Sequence, residues 1–228
     1  MRVLGMMSGT SLDGIDVALV DVTRDSSDPS TLRGHVLHTG EEPWPAATQD
    51  ALRGVLPPAG ADVATWNRLH AEVGEAFAAA ASHVLARHGG AELVATHGQT
   101  LHHDVRADGS VHATLQIGDA SRIAAATSLP VLSDLRTADV AAGGQGAPLA
   151  PILDHLLLGA GGVPTAVLNI GGISNITLVG AEQVIAGDLG PGNALLDAAV
   201  HAATGRGADL DAELARAGTV STSALEAL

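Results

Sequence analysis

The sequence contains no cysteine and no lysine, and it is nearly free of aromatic residues. Without cysteine the chain cannot form disulfides, use a thiolate nucleophile or bind zinc through sulfur. All 11 basic residues are arginines, which excludes a phosphate-binding lysine of the P-loop type. Two Trp, one Phe and no Tyr offer few surfaces on which bases could stack, and the formal net charge is −14. We therefore expect no nucleic-acid partner.

The beginning of the chain also lacks the long apolar run of a signal peptide or membrane span, because Ser8 interrupts a short apolar stretch. We expect a soluble, cytoplasmic protein without a membrane partner. The 228 residues, 46% of them hydrophobic, suffice for a core and indicate one large domain or two. Any anionic ligand would have to be bound by backbone amides, hydroxyl groups, arginine or a metal ion.

Hydrophobic periodicity predicts strands that alternate with helices, which is typical of the α/β class. The predicted strands are 2–7, 15–22, 93–96, 111–117, 130–132, 165–170, 175–179 and 183–186. The predicted helices are 46–56, 62–88, 121–127, 149–158 and 194–203, followed by a short one over 224–228 that Ser221–Ser223 would cap. In the helix over 62–88, one face carries Val63, Trp66, Leu69, Val73, Phe77, Ala80 and Val84. Residues 159–162 are the best candidate linker, which predicts domains over 1–160 and 161–228.

The stretch GMMSGTSLDGID joins the first two predicted strands through a loop of small and hydroxyl-bearing residues. Glycines and hydroxyls here could direct several donors at one anion. Asp13 and Asp16 could orient a hydrated Mg²⁺. The alternative is a plain hairpin turn with Asp13-Gly14 at its tip.

A second stretch, NIGGISN over 169–175, repeats this design between two later strands. Two such hairpins that faced each other across a cleft would clamp a polyphosphate. The loop over 188–193 lies just before a helix, whose N-terminus attracts anions. Asp188 in that loop could act as a general base or a ligand, or it could merely cap the helix or form a turn.

The loop over 134–148 contains Arg136, whose planar guanidinium could bind a carboxylate. Alternatively, Arg136 pairs with Asp134 or Asp139 at the surface. His97 and Gln99 follow a predicted strand and are candidates for hydrogen bonds to a polar ligand. His97 also opens a group with His102, His103 and Asp104, but this spacing differs from the i, i+4 pair of a helical zinc site.

Taken together, these segments resemble the anhydro-N-acetylmuramic acid kinase family, bacterial enzymes of peptidoglycan recycling. The matching pieces are GMMSGTSLDGID, THGQTLHH, TLQIGD, SDLRTADVAAGGQGAPLAP, NIGGISN and GDLGPGN, in the family's order over residues 5–193. The resemblance implies an actin-like fold of two ribonuclease-H-like domains that bind ATP and Mg²⁺ between them. It also implies cleavage of the 1,6-anhydro bond by water and phosphorylation of O6, which gives N-acetylmuramic acid 6-phosphate and ADP.

The resemblance also implies roles for individual residues. Asp188 matches the catalytic carboxylate that takes a proton from the attacking water. The matches for ATP are Gly9, Thr10, Ser11, Leu12, Asp13, Gly14, Ile15, Asp16, Gly171, Gly172, Ser174 and Asn175, with Asp13 near the metal. The matches on the sugar side are His97, Gln99, Asp134, Arg136, Asp139, Gly190 and Asn193. Our hypothesis is that Arg136 meets the lactyl carboxylate of the muramic acid.

The resemblance has one departure, since the family is roughly half as long again. We expect the first domain to be complete and the second to be only partly present. The resemblance suggests a homodimer through the second domain. Two other functions stay open at this point: a non-catalytic sugar-binding remnant, and a metal-dependent hydrolase that uses the group from His97 to Asp104.

Overall fold

The computed structural model describes residues 1–9, 11–25, 32–56, 59–159, 163–180 and 184–226. The chain forms two compact units, Met1–Ala147 and Pro148–Leu228. The boundary between the units thus precedes the helix over 150–158, whereas the sequence predicts a boundary after it. The alternating strands and helices confirm the α/β class.

The first unit is built on a six-stranded mixed sheet. Its strands are β1 (Arg2–Ser8), β2 (Ile15–Arg24), β3 (Leu32–Glu42), β4 (Leu93–Val105), β5 (Val111–Ile117) and β6 (Val131–Leu132). The order along the sheet is β3-β2-β1-β4-β5, and β6 also pairs with β4. The first three strands form an antiparallel meander, whereas β1, β4 and β6 run parallel. The ends of β1 and β4 therefore lie side by side, with Ser8 opposite Gln99.

Four helices accompany this sheet: α1 (Ala46–Val55), α2 (Val63–His88), α3 (Ala120–Thr127) and α4 (Thr137–Ala141). The sequence places the bounds of α2 correctly, since Asp62 accepts a hydrogen bond from the amide of Thr65 at 2.7 Å and Gly89 ends the helix with φ +99°. The predicted apolar face is buried at Leu69, Val73, Phe77, Ala80 and Val84. Val63, the first residue of the helix, is instead 84% exposed.

The structure corrects the sequence prediction for the first unit in three places. The edge strand β3 is missed, because its side chains are nearly all exposed and carry little hydrophobic alternation. Strand β4 continues to Val105 rather than ending at Thr96, so residues 97–104 form strand and not loop. The loop over 134–148 contains the short helix α4.

The second unit contains a three-stranded antiparallel meander and helices on either side of it in sequence. The strands are β7 (Thr165–Ile170), β8 (Ile173–Val179) and β9 (Ile185–Pro191), and the helices are α5 (Ala150–Leu158), α6 (Asn193–Thr204), α7 (Glu213–Ala217) and α8 (Thr222–Leu225). Ser221 caps α8 as predicted, accepting a hydrogen bond from the amide of Ala224 at 3.3 Å. Strand β9 extends through Asp188, which the sequence analysis placed in a loop.

Among its described residues, the second unit leaves many large apolar side chains in contact with solvent. On α5 these are Ile152, Leu153, Leu156 and Leu157, and on α6 they are Leu195 and Leu196, all between 57% and 69% exposed. The sheet adds Leu168, Ile170, Ile173, Ile185 and Leu189. By contrast, its buried residues are few, with Thr177 and Val179 on β8 the clearest examples.

Some predicted features lie outside the described residues. They are Thr10 of the first hairpin, Ala160–Gly162 of the linker, Gln183 at the start of a predicted strand, and residues 227–228 of the last helix. Within the described part of the chain, no helix is both long and apolar enough to cross a membrane.

Gly74 of α2 allows a close contact that should be testable. A Cβ at this position would lie 2.7 Å from the backbone N of Asp119 and 2.8 Å from its O, just before α3. We expect Gly74→Ala to lower the free energy of unfolding by about 1–3 kcal/mol, since the backbone must shift to admit the methyl group.

The matched control is Gly54→Ala in α1, where an added Cβ would meet nothing within 4 Å. This change should raise stability by about 0.5–1 kcal/mol, because alanine loses less conformational entropy in a helix than glycine. Urea unfolding of both variants measures the difference. Equal stability of the two variants would show that the α2–α3 contact does not exclude a methyl group.

Candidate functional site

The loop between β1 and β2 is held to the first unit through its carbonyl groups. The side chain of Gln99 donates from Nε2 to the O of Gly9 at 3.2 Å, and Gln49 donates to the O of Leu12 at 2.6 Å. The buried hydroxyl of Ser8 donates to the O of Gly14 at 2.9 Å. Three separate side chains therefore turn the carbonyls of this loop toward the protein.

Within this loop, the amides of Leu12 and Gly14 donate to the O of Gly9 at 3.3 Å and to Asp13 Oδ1 at 3.1 Å. Those of Gly9, Ser11 and Asp13 meet no acceptor among the residues that the structure describes. The side chain of Leu12 is buried in the core although its φ is +54°, so it anchors a loop that is otherwise solvent-facing. A loop of this kind presents backbone donors with little freedom to rearrange, which suits an anion.

This arrangement corrects part of the predicted nucleotide site. The side chains of Leu12 and Ile15 lie in the hydrophobic core, and Gly14 is buried with its N bonded to Asp13 Oδ1 at 3.1 Å. These side chains therefore belong to the packing of the first unit, and the exposed side chains of the described loop are those of Ser11 and Asp13.

Asp13 and Asp16 supply the carboxylates near this loop. Asp13 Oδ1 accepts hydrogen bonds from Ser11 Oγ at 2.9 Å and from the amide of Gly14, which leaves Oδ2 without a partner among the described residues. The pKa of Asp16 is raised, first by partial desolvation and second by the negative charge of Asp13. Two carboxylates that repel each other in this way fit Mg²⁺, which takes one or two protein oxygens and keeps its waters.

Gln99, which the sequence predicts on the sugar side, is buried beneath the first hairpin. Its side chain is 0% exposed, and Nε2 donates to the carbonyls of Gly9 and Thr100. Its Oε1 is buried without a hydrogen-bond partner in the described chain. The residue therefore supports the first hairpin from beneath.

His97 and Arg136 do come together, as a hydrogen-bonded pair at the edge of α4. Arg136 donates from Nε to His97 Nε2 at 2.8 Å and from Nη1 to the O of Gly146 at 2.9 Å. Burial lowers the pKa of His97; the hydrogen bond to the Gly98 carbonyl opposes this in part, and the charge of Arg136 adds a smaller lowering. Burial also lowers the pKa of Arg136. The surface ion pair that was the alternative for Arg136 is absent among the described residues.

The two aspartates predicted beside Arg136 have other partners. Asp139 Oδ2 accepts the amide of Gly146 at 2.7 Å, which closes the turn after α4. Asp134 accepts a hydrogen bond from the hydroxyl of Thr137 and has φ +56°. Both carboxylates are exposed, and both fix the loop that carries Arg136.

The structure does not assemble the proposed histidine metal site. His103 Nδ1 bonds to Thr114 Oγ1 at 3.0 Å, and His102 lines an apolar pocket with Trp66 and Leu115. Successive residues of a strand point to opposite faces, so His102 and His103 cannot share a ligand. In the described part of the chain, no three His, Asp or Glu side chains are grouped to hold a metal ion.

In the second unit, the Gly171–Gly172 turn is bound to the start of α6. The amide of Asn193 donates to the O of Gly171 at 2.7 Å, and the amide of Gly192 donates to the O of Gly172 at 2.9 Å. Asn193 also donates from Nδ2 to the O of Ile170 at 3.2 Å. The amides of Gly171 and Gly172 meet no acceptor among the described residues.

These bonds correct the expectation that the N-terminus of α6 attracts an anion. The amides of Asn193 and Ala194 already donate to Gly171 and Gly172, so they are not available to a ligand. The free donors belong instead to the glycine turn. Asn193 serves as a structural link to that turn.

Asp188 lies on β9 directly opposite Asn175 of β8, and Gly190 lies opposite Ser174. The Asp188 carboxylate is exposed and has no hydrogen-bond or ion-pair partner among the described residues. The pairing of β8 with β9 thus brings four predicted site residues together close to the glycine turn. Such a free carboxylate is able to accept a proton.

Sequence reasoning missed Gln49 and Gly146, both of which hold predicted site residues in place. Gln49 lies in α1, 37 residues from its partner Leu12, and a local sequence pattern does not predict a bond over such a separation. Gly146 belongs to a glycine-rich stretch, and its contact with Arg136 depends on the turn after α4, which the stretch alone does not predict. Ser8 is part of the motif between β1 and β2, but the motif does not predict the bond from its hydroxyl to the O of Gly14.

The model of the family described as anhydro-N-acetylmuramic acid kinase matches residues 1–228. The chain belongs to this family. Among curated relatives, the anhydro-N-acetylmuramic acid kinase of Streptomyces coelicolor is 48% identical over 225 residues, which cover 96% of this chain and 56% of the relative. That of Gloeobacter violaceus is 40% identical over 231 residues, covering 98% and 60%.

The chain thus spans 56–60% of the length of these two kinases. A solved ROK hexokinase from Thermus thermophilus aligns with 85% of this chain and 51% of its own, with 19% sequence identity and a TM-score of 0.35. That likeness is too weak to define the fold. The actin-like arrangement of the anhydro-N-acetylmuramic acid kinase family remains the expectation for this member.

Gly192 should be essential for the contact between the glycine turn and α6. A Cβ there would lie 2.2 Å from the O of Gly171, whereas at Gly187 it would meet nothing within 4 Å. We expect Gly192→Ala to speed hydrogen exchange at the amide of Asn193 by at least about tenfold, since its bond to Gly171 is lost. Gly187→Ala is the control and should leave that rate unchanged. Slow exchange in both variants would contradict the contact.

The lowered pKa of His97 predicts a pH dependence of stability. Its folded pKa lies below the value of about 6.5 in the unfolded chain, so folding favours the neutral ring. The contribution is fully present above pH 6.5 and is lost as the pH falls through the folded pKa. The free energy of unfolding of the wild type should therefore fall more steeply from pH 7.5 to 5 than that of His97→Gln. Parallel curves in urea titrations would refute this.

Proposed function

We propose that this chain acts as an anhydro-N-acetylmuramic acid kinase, in the cytoplasm where ATP is available. The reaction would take 1,6-anhydro-N-acetylmuramic acid, ATP and water to N-acetylmuramic acid 6-phosphate and ADP. Membership of the family carries this proposal. The loop between β1 and β2, whose carbonyls at Gly9 and Leu12 accept side-chain hydrogen bonds, is the structural feature that agrees with it best.

In the proposed reaction, water attacks the anomeric carbon C1 while the bond from C1 to O6 breaks. Asp188 takes the proton of the water, and O6 attacks the γ-phosphorus of ATP, so that ADP leaves. The free and exposed carboxylate of Asp188 is suited to this role. Phosphoryl transfer depends mainly on positioning and on neutralising charge, so no lysine is required.

In the first unit, the proposed donors to the phosphates of ATP are the backbone amides of Gly9, Ser11 and Asp13. The amides of Gly171 and Gly172 are the candidate anion donors of the second unit. Mg²⁺ would be held by Asp13 and Asp16, mainly through water, and would neutralise charge on the phosphates.

The sugar would be recognised through its lactyl carboxylate by Arg136. This guanidinium is half-buried and has no carboxylate partner among the described residues, so an anionic ligand would balance its charge. Planar, paired N–H donors give arginine a geometry that matches a carboxylate.

A coupled assay of ADP release, with ATP, Mg²⁺ and 1,6-anhydro-N-acetylmuramic acid, tests the proposal. The wild type should release ADP only when the sugar is present. Binding of the sugar in titration calorimetry without any release of ADP would instead support the second candidate, a non-catalytic sugar-binding protein.

Asp188→Asn should lower turnover by at least about 10²–10⁴-fold, because the amide cannot accept the proton of water. Its affinity for ATP should change little, since the proposed phosphate donors are backbone amides that this side-chain change leaves in place. The matched control is Asp211→Asn, an exposed residue of the same unit whose φ of +55° asparagine tolerates. Full turnover by Asp188→Asn would show that another group is the base.

A further inference from the structure

The surroundings of His97 fix the position of its proton from two sides. Nδ1 lies 3.1 Å from the carbonyl O of Gly98, an atom that can only accept a hydrogen bond. Nε2 lies 2.8 Å from Nε of Arg136, a group that can only donate. Both contacts require a neutral ring with its proton on Nδ1 and its lone pair on Nε2.

The same contacts decide which part of the Arg136 guanidinium a ligand can reach. Of the five N–H groups, Nε–H is bonded to His97 and one Nη1–H is bonded to Gly146. Both N–H groups of Nη2 and the second one of Nη1 have no partner among the described residues. A carboxylate can pair with arginine through Nε and Nη2 or through Nη1 and Nη2. His97 blocks the first of these edges.

Two residues therefore hold the guanidinium plane from different directions, while its positive charge stays uncompensated. Asp139 and Arg136 both bond to Gly146, but through different atoms. Arg136 donates to the carbonyl O of Gly146, whereas Asp139 Oδ2 accepts from its amide. Holding a long side chain in one orientation reduces the conformational entropy that a ligand must otherwise overcome on binding.

We propose that His97 is a positioning residue that holds Arg136 through Nε and so directs Nη2 toward the carboxylate of the sugar ligand. The inference rests on the proposed function, because the carboxylate belongs to the anhydro-muramic acid. Loss of the Nε2 acceptor would leave the guanidinium tied to Gly146 alone, and the affinity gained from a fixed donor pair would fall.

Titration calorimetry with 1,6-anhydro-N-acetylmuramic acid separates positioning from a structural role. We expect His97→Phe to weaken binding about three- to tenfold, which corresponds to the net contribution of one ordinary hydrogen bond, because the lost bond acts on the ligand only through Arg136. His97→Gln should bind within about twofold of the wild type, because its Oε1 can occupy the place of Nε2. Exposed His102 on the same strand provides the control His102→Phe, which should bind normally.

A second ligand, 1,6-anhydro-N-acetylglucosamine, lacks the lactyl carboxylate. Its affinity should be the same in the wild type and in His97→Phe, whereas a merely structural defect would weaken both ligands. Equal weakening of both ligands, or normal binding of the muramic sugar by His97→Phe, would overturn the positioning role.

The variant Arg136→Leu distinguishes a failure of the positioning role of His97 from a failure of the proposed function. Normal binding of the muramic sugar by Arg136→Leu, or no binding by the wild type, would overturn the carboxylate assignment and with it the role of His97. Nitrogen-15 NMR of the imidazole in the ligand-free wild type provides a separate check. A proton on Nε2 instead of Nδ1 would refute the hydrogen bond from Arg136 to His97, whatever the result of the sugar-binding experiments.

Discussion

The inward bonding of the β1–β2 loop carbonyls is the constraint on which the candidate site depends. Gln99, Gln49 and Ser8 each engage one atom of the loop, and Leu12 anchors it in the core. Because the N–H of a peptide points away from its carbonyl, the bond to the O of Leu12 directs the amide of Asp13 away from that contact. A chain without lysine gains in this way a local positive potential that its net charge of −14 does not suggest.

The glycine turn of the second unit also keeps free amide donors among the described residues, but different bonds hold its carbonyls. Here the carbonyls of the glycine turn are bonded by the first amides of α6, so the helix N-terminus is used internally and the turn keeps its own donors. Asp188 and Asn175 lie close to that turn because β8 and β9 pair there, with a register shift between Ser174 and Asn175. A short antiparallel ladder thus replaces the loop that the sequence pattern suggested.

The sequence predicts features that depend on local patterns and misses those that depend on distant partners. Helix α2 is bounded by Asp62 and Gly89, both readable as caps, and its apolar face is periodic. The edge strand β3 lacks such a pattern, and the bonds of Gln99 to Gly9 and of Gln49 to Leu12 span 90 and 37 residues. His97 and Arg136 were placed in one site only through the family resemblance, and their direct bond could not be foreseen.

The apolar side chains on α5, α6 and the β7–β9 sheet have a practical consequence for handling the isolated chain. Patches of this kind attract fluorescent hydrophobic dyes and chaperone substrate-binding sites even while the surrounding backbone is folded. Ammonium sulfate and similar excluded salts strengthen such contacts, so they should bring the polypeptide out of solution at concentrations that a fully covered protein tolerates. Dilute buffers with little excluded salt are therefore the better medium in which to study this surface.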